Sequence, residues 1–169
     1  MPLIDEFETW SKRLTSLPLA SYGPGETVLA EGSTTRRLMI LKRGAVTIGK
    51  EGISIAMVSE PGAIFGELAA LLDQPHTADV RTVGDSEFYI ANAASLLEQD
   101  SVALLYVAAL LARRLDLANH SLIELKSALQ QGQSRNAIDT AVSRLQGILG
   151  AIGDGYIRAG AGLSIFPSG

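Results

Sequence analysis

The chain has 169 residues, of which 47 % are hydrophobic and 19 % are charged, and its formal net charge is −4. This length is enough for one domain with an appended helical piece, and the composition excludes a disordered chain. Without cysteine there is no disulfide framework and no thiolate metal site. The negative charge argues against a nucleic acid as the main partner, so DNA binding is not expected.

No segment of the sequence predicts insertion into a membrane. The apolar run from Val102 to Ala112 is too short to cross a bilayer and ends at two arginines. Acidic residues interrupt the N-terminus where a signal peptide would need an apolar core. The sequence therefore predicts a cytoplasmic protein.

The first predicted element is a short helix. Leu3, Phe7, Trp10 and Leu14 recur every three or four residues, which is typical of one apolar helix face. Pro18 follows, so the helix is expected to end before it.

Short β-type runs separated by glycine-containing turns follow, between residues 22 and 90. The predicted strands are Thr27–Ala30, Arg37–Lys42, Ala45–Ile48, Ile53–Val58, Thr77–Val83 and Glu87–Ile90. Many short strands with closely spaced turns predict a sandwich or barrel. The expected fold class is α+β and mainly β, an antiparallel β-roll or jelly roll with an N-terminal helix and long C-terminal helices.

The pattern becomes helical from Ala94 onward. Ser95 is the predicted cap of a short helix that ends at Gln99, and a longer helix is expected from Ser101 to Gln131. Apolar residues in the long helix alternate at spacings of four and three: Leu104, Ala108, Leu111, Leu115, Ala118, Leu122, Leu125 and Leu129. Such a seam predicts a coiled coil and a homodimer, and the alternative is a helix that packs only on its own roll.

These elements divide the chain into residues 1–131 and residues 132–169. The second segment predicts another helix, with apolar residues such as Ile138, Val142 and Leu145 on one stripe. Beyond Gly153 the sequence is rich in Gly, Ala and Ser and is expected to be ordered only if it docks, so this tail is a candidate site for a protein partner.

The stretch from Gly62 to Val80 reads GAIFGELAALLDQPHTADV and carries the strongest functional signal. Glycine allows a backbone to approach a ligand closely. A short helix that begins at Glu67 would also direct free backbone N–H groups at an anion. The stretch therefore predicts a site for an anion that also bears hydroxyl groups.

The letters FGELA followed by PxTAxV resemble the phosphate-binding cassette of the cyclic-nucleotide-binding domain family. The resemblance covers about Leu17 to Lys126. It implies a regulatory module, not an enzyme, with cAMP or cGMP as its ligand and no other cofactor. It also implies that binding reorients the C-terminal helix and that many bacterial relatives dimerise through this helix.

The resemblance implies a set of ligand-binding residues. Glu67 would accept a hydrogen bond from the ribose 2′-hydroxyl, and Thr77 would donate to a phosphate oxygen or to guanine. Arg113 or Arg114 would reach the ligand from the long helix, where Asn119 would read the purine. The full predicted set is Phe65, Gly66, Glu67, Leu68, Ala69, His76, Thr77, Ala78, Arg114 and Asn119.

His76 departs from the family pattern, which has an arginine at this position. An ordinary histidine is charged only below about pH 6.5, whereas arginine is always charged. Losing a charge-assisted bond costs roughly 1.5–3 kcal/mol, or about one to two decades of affinity. We therefore expect binding to be weakened but not abolished, and binding that tightens at pH 6 would support a phosphate held by His76.

Two other functions remain open at this point. A domain that no longer binds nucleotide could act as a dimeric scaffold, as the histidine suggests. A Crp-type transcription regulator would need a helix-turn-helix after Gly132, but that segment is short and its charges are mixed. No catalytic residue and no metal site are predicted, because a metal centre needs several ligands and the histidines are His76 and His120 alone.

Overall fold

The computed structural model describes residue 10, residues 12–130, and residues 139, 140 and 143. Residues 10 and 12–14 are helical. The strands are β1 (Leu19–Tyr22), β2 (Thr27–Leu29), β3 (Arg37–Arg43), β4 (Val46–Lys50), β5 (Ile53–Val58), β6 (Ile64–Phe65), β7 (Asp79–Thr82) and β8 (Ser86–Asn92). The helices are α1 (Glu67–Leu72), α2 (Ala93–Gln99) and α3 (Ser101–Gln130).

The strands form two antiparallel sheets, in the orders β1-β8-β3-β6 and β2-β7-β4-β5. Apolar side chains from both sheets meet in one buried cluster, which includes Met39, Val46, Phe65, Val80 and Phe88. Alternate residues along a strand point to opposite faces, which is why these positions share the interior. The predicted α+β fold, an antiparallel roll with a long C-terminal helix, is confirmed.

A second buried cluster joins the outer face of the first sheet to the helices. Trp10 stacks on Tyr106 with ring centroids 5.2 Å apart, and Leu38 and Ile40 of β3 belong to the same cluster. Burial raises the pKa of Tyr106 to about 12. The roll therefore has one core inside it and another beneath α2 and α3.

Two differences from the predicted strands have clear physical reasons. β1 was not predicted, because its residues are alternately exposed and half-buried and it lies at the edge of its sheet. The run predicted from Thr77 enters the sheet only at Asp79. The preceding backbone bonds elsewhere: His76 N–H donates to Ser33 O at 2.9 Å, and Gly32 N–H donates to His76 O at 2.8 Å.

The cap of the short helix was predicted wrongly. The helix begins at Ala93, and Ser95 N–H donates to the side-chain oxygen of Asn92 at 3.0 Å. Asparagine is as good a cap as serine, and here it is also the last residue of β8.

α3 has two distinct faces. Ala103, Val107 and Leu110 are buried against the roll. Large apolar residues of the predicted seam lie on the exposed side, with exposed fractions from 43 % to 63 %: Leu104, Leu115, Leu122 and Leu129. Packing on the roll therefore leaves these four leucines of the seam exposed, whereas Leu111 of the seam packs against the buried cluster.

Several predictions fall outside the described residues. These are Leu3 and Phe7 of the first helix, the end of the long helix at Gly132, most of the helix after it, and the tail beyond Gly153. Among the described helices, none combines the length and apolar character needed to span a bilayer.

Candidate ligand-binding site

A cavity of about 170 Å³ lies beside α1, with β4, β5, β7 and α3 contributing to its lining. Nine of the ten predicted site residues line it: Phe65, Gly66, Glu67, Leu68, Ala69, His76, Thr77, Ala78 and Arg114. Asn119 is exposed on α3 and is not part of the lining. Segments far apart in the sequence thus surround one cavity. Residues Phe65–Ala69, which we call the cradle, form one side of it.

Gly66 fixes the shape of the cradle. Its φ of 91° is left-handed, and it directly precedes α1. A Cβ at this position would lie 2.5 Å from Arg37 O and 3.2 Å from His76 Cε1. Only glycine fits here without a backbone shift, because both the φ angle and the contact with β3 exclude a side chain.

Glu67 is buried, with 4 % of its surface exposed. Its Oε1 accepts a hydrogen bond from Arg114 Nη1 within an ion pair, and Arg114 Nη2 also donates to Ile64 O at 3.4 Å. Glu67 thereby ties the cradle to the middle of α3. An ionised carboxylate has about four acceptor positions, so one arginine does not exhaust them.

His76 is buried as well, with 4 % of its surface exposed. Its Nε2 lies 2.7 Å from Thr35 Oγ1. Burial lowers the pKa of His76 from its ordinary value, against a smaller opposite effect of Glu67. Burial thus favours the neutral ring, and the ring already has a partner in Thr35.

Side chains alternate between the two faces along β7, and this alternation leaves Arg81 outside the cavity. Val80 is buried and lines the cavity, whereas Arg81 is exposed and pairs with Asp79 at 3.4 Å. From the long helix, Arg114 and not Arg113 lines the cavity.

Lys50 lines the cavity and was not identified from the sequence. The predicted strand ended at Ile48, whereas β4 continues to Lys50. Lys50 has the same alternation as Val46 and Ile48, which face the interior. Extending the strand by two residues would have assigned this side chain to the inner face.

The described part of the chain holds no group of three or more His, Cys, Asp or Glu residues suited to a metal ion. The chemistry available around the cavity is therefore a buried acceptor, backbone N–H groups, a hydroxyl and basic side chains.

The family model described as "Cyclic nucleotide-binding domain" matches residues 19–99, the segment that contains the cradle and both sheets. Residues 19–99 belong to this family. The chain is 29 % identical over 80 residues to a subunit of a cyclic nucleotide-gated cation channel of Drosophila melanogaster. It is 28 % identical over 82 residues to the regulatory subunit of a cAMP-dependent protein kinase of Eremothecium gossypii.

These matches cover 43 % and 47 % of the chain but only 12 % and 18 % of the two relatives. Among solved structures, the catabolite activator protein of Thermus thermophilus has a similar fold, with a TM-score of 0.55 and 20 % identity. That match covers 89 % of this chain and 82 % of the activator. At this identity the likeness concerns the fold.

Proposed function

We propose that this chain is a cytoplasmic regulatory module that binds cAMP or cGMP in the cavity beside the cradle. The observation that carries the proposal is Glu67, a buried carboxylate that faces the cavity and keeps acceptor capacity beyond its bond to Arg114. A ribose 2′-hydroxyl is a donor that the remaining acceptor positions of this carboxylate would bind.

The rest of the cradle suits the phosphate of such a ligand. The first intrahelical hydrogen bond of α1 is donated by Ala70 N–H to Gly66 O at 3.1 Å. The N–H groups of Leu68 and Ala69 precede it and so have no acceptor within the helix. Thr77, half-buried in the lining, adds a hydroxyl donor.

The matched relatives support a cyclic nucleotide over other hydroxyl-bearing anions, since they belong to a nucleotide-gated channel and to a cAMP-dependent kinase. The choice of base stays a prediction. Asn119 would have to approach the ligand from α3 for its amide to read a purine edge.

Ligand binding is proposed to move α3. The cavity of about 170 Å³ is smaller than the roughly 300–1,000 Å³ typical of ligand pockets. Arg114 lines it and holds the carboxylate that the ribose would use. A nucleotide must therefore share or displace Arg114, and this shifts the helix between two positions.

A homodimer through α3 is proposed because four leucines of the seam, Leu104, Leu115, Leu122 and Leu129, are exposed on a helix that packs on the roll mainly with other residues. Leu122→Glu should shift the chain towards the monomer in analytical ultracentrifugation. Ile123 is equally apolar, 66 % exposed and off the seam, so Ile123→Glu is the matched control. Equal effects of both changes, or a monomeric wild type, would contradict a dimer built on this seam.

Isothermal titration calorimetry of the wild-type chain with cAMP and with cGMP tests the main proposal. We expect saturable binding of at least one of them at one site per chain. No heat of binding with either nucleotide at millimolar concentration would contradict it.

A second candidate, a dimeric scaffold that binds no nucleotide, is favoured by one observation: the His76 ring is engaged with Thr35. A dimer without nucleotide binding is the outcome that supports it.

A further inference from the structure

The cavity needs a cation if its ligand is a phosphodiester, because an anion brought out of water must be paired or hydrogen-bonded. Three basic side chains line the cavity: Lys50, His76 and Arg114. They differ in the hydrogen-bond and ion-pair partners that they already have.

Arg114 is committed to Glu67 and to the backbone of Ile64. Its side chain is 15 % exposed and that of Glu67 is 6 % exposed, so this pair is largely shielded from water. Counted formally, the two charges cancel, and Arg114 offers little net charge to an incoming phosphate.

His76 is committed to Thr35, with Nε2 2.7 Å from the hydroxyl oxygen. Burial also favours its neutral form. At neutral pH it is therefore a hydrogen-bonding group without a charge.

Lys50 differs from both. It is exposed, and no hydrogen bond or ion pair of its side chain is found within the described part of the chain. β4 lies beside β7 with Ile48 opposite Val80 and Gly49 opposite Asp79. Continuing this register by one residue places Lys50 opposite Ala78, which is next to Thr77 in the sequence. Because side chains alternate along a strand, Lys50 lies on the sheet face that Ile48 and Val80 share.

We propose that the ε-ammonium group of Lys50 binds the phosphodiester of the nucleotide, so that the cation missing at position 76 comes from the neighbouring strand. This inference rests on the proposed function. The formal charges around the cavity sum to one positive charge once Glu67 and Arg114 cancel, which matches the single negative charge of a cyclic phosphodiester. A 5′-monophosphate carries between about 1.5 and 2 negative charges, so the site favours the cyclic form.

The test compares calorimetric affinities for cAMP and cGMP among the wild type, Lys50→Met, Lys50→Arg and Lys126→Met. Lys50→Met removes the charge but keeps an unbranched side chain, and Lys50→Arg keeps the charge. Lys126 is exposed on α3 and does not line the cavity, so Lys126→Met is the control for loss of one positive charge. Because Lys50 is exposed, its replacement should leave the melting temperature unchanged.

Lys50→Met should weaken binding about tenfold or more, the low end for a charge-assisted hydrogen bond. Lys50→Arg and Lys126→Met should stay within about threefold of the wild type. Increasing salt should weaken wild-type binding more than Lys50→Met binding, because salt screens an exposed charge.

The outcomes separate the two proposals. Wild-type binding that Lys50→Met leaves unchanged overturns the role of Lys50 but leaves the proposed function intact. Equal losses in Lys50→Met and Lys126→Met show a general charge effect and also overturn it. No binding by the wild type overturns both.

Discussion

The cradle and the segment His76–Ala78 form two sides of the same cavity but are built differently. The cradle is fixed by a left-handed glycine pressed on the backbone of β3 and by the buried pair of Glu67 and Arg114. On the other side, His76 is hydrogen-bonded to Thr35, and Lys50 of β4 is an exposed cation whose side chain has no partner among the residues that the structure describes. In the proposed complex, the ribose hydroxyl is bound by a side chain that is part of the packed cradle, whereas the anion is bound by an exposed side chain whose replacement should leave the fold intact.

Gly66→Ala should have the largest effect on stability, because it disturbs the backbone of the cradle. The new Cβ would meet Arg37 O at 2.5 Å in a left-handed conformation, and we expect a loss of about 3 kcal/mol or more in the free energy of unfolding. Gly25 has a similar φ of 77° but open space around it, so Gly25→Ala should cost only about 1–2 kcal/mol. Urea denaturation of both variants measures the difference, and equal costs would mean that the contact with β3 does not constrain the cradle.

Arg114→Met tests the ion pair that joins the cradle to α3. It leaves the Glu67 carboxylate buried without its partner, which should cost about 3 kcal/mol in the free energy of unfolding. The control is Arg43→Met, because Arg43 pairs with Glu87 at 2.9 Å with 64 % of its side chain exposed. Thermal unfolding should show little change for Arg43→Met, since exposed pairs contribute little. A similar effect of both changes would contradict a stabilising role of the buried pair.

The cradle could be predicted from the sequence because its residues form one contiguous stretch, FGELA, which carries the family resemblance, although its contacts with β3 and Arg114 could not. Arg114 was predicted as one of two adjacent arginines, since helical periodicity limits but does not fix which one turns inward. Lys50 was missed because the predicted strand ended at Ile48; alternation along a longer strand would have placed it on the inner face, but its position beside Thr77 depends on the pairing of β4 with β7. The engagement of His76 with Thr35 is another contact between distant segments, and no local pattern encodes it.

His76→Arg tests the side of the cavity formed by His76–Ala78, because it places a permanent cation there. We expect cyclic-nucleotide affinity to rise by about one to two decades, the value of a charge-assisted bond. His120→Arg adds the same charge on the exposed surface of α3, outside the cavity lining, and should leave the affinity unchanged. Calorimetry compares the two, and unchanged affinity in His76→Arg would mean that the ligand is bound elsewhere or not at all.

The smallest expected effect is the pH dependence of stability that His76 contributes. Burial lowers its pKa in the folded chain, so the unfolded chain takes up the proton first as the pH falls past about 6.5. The free energy of unfolding should therefore decrease on acidification through this range. Urea denaturation at about pH 8 and about pH 6 should show a smaller decrease in His76→Gln than in the wild type. His120→Gln is the control, and an unchanged decrease in His76→Gln would contradict the burial of a neutral histidine.

The most direct measurement is a crystal structure of the wild-type chain grown with cAMP or cGMP. We predict the nucleotide in the cavity, with a ribose hydroxyl on Glu67 and a phosphate oxygen within about 2.7–2.9 Å of Lys50 Nζ. A nucleotide bound outside the cavity, or one in the cavity that touches neither side chain, would contradict this prediction.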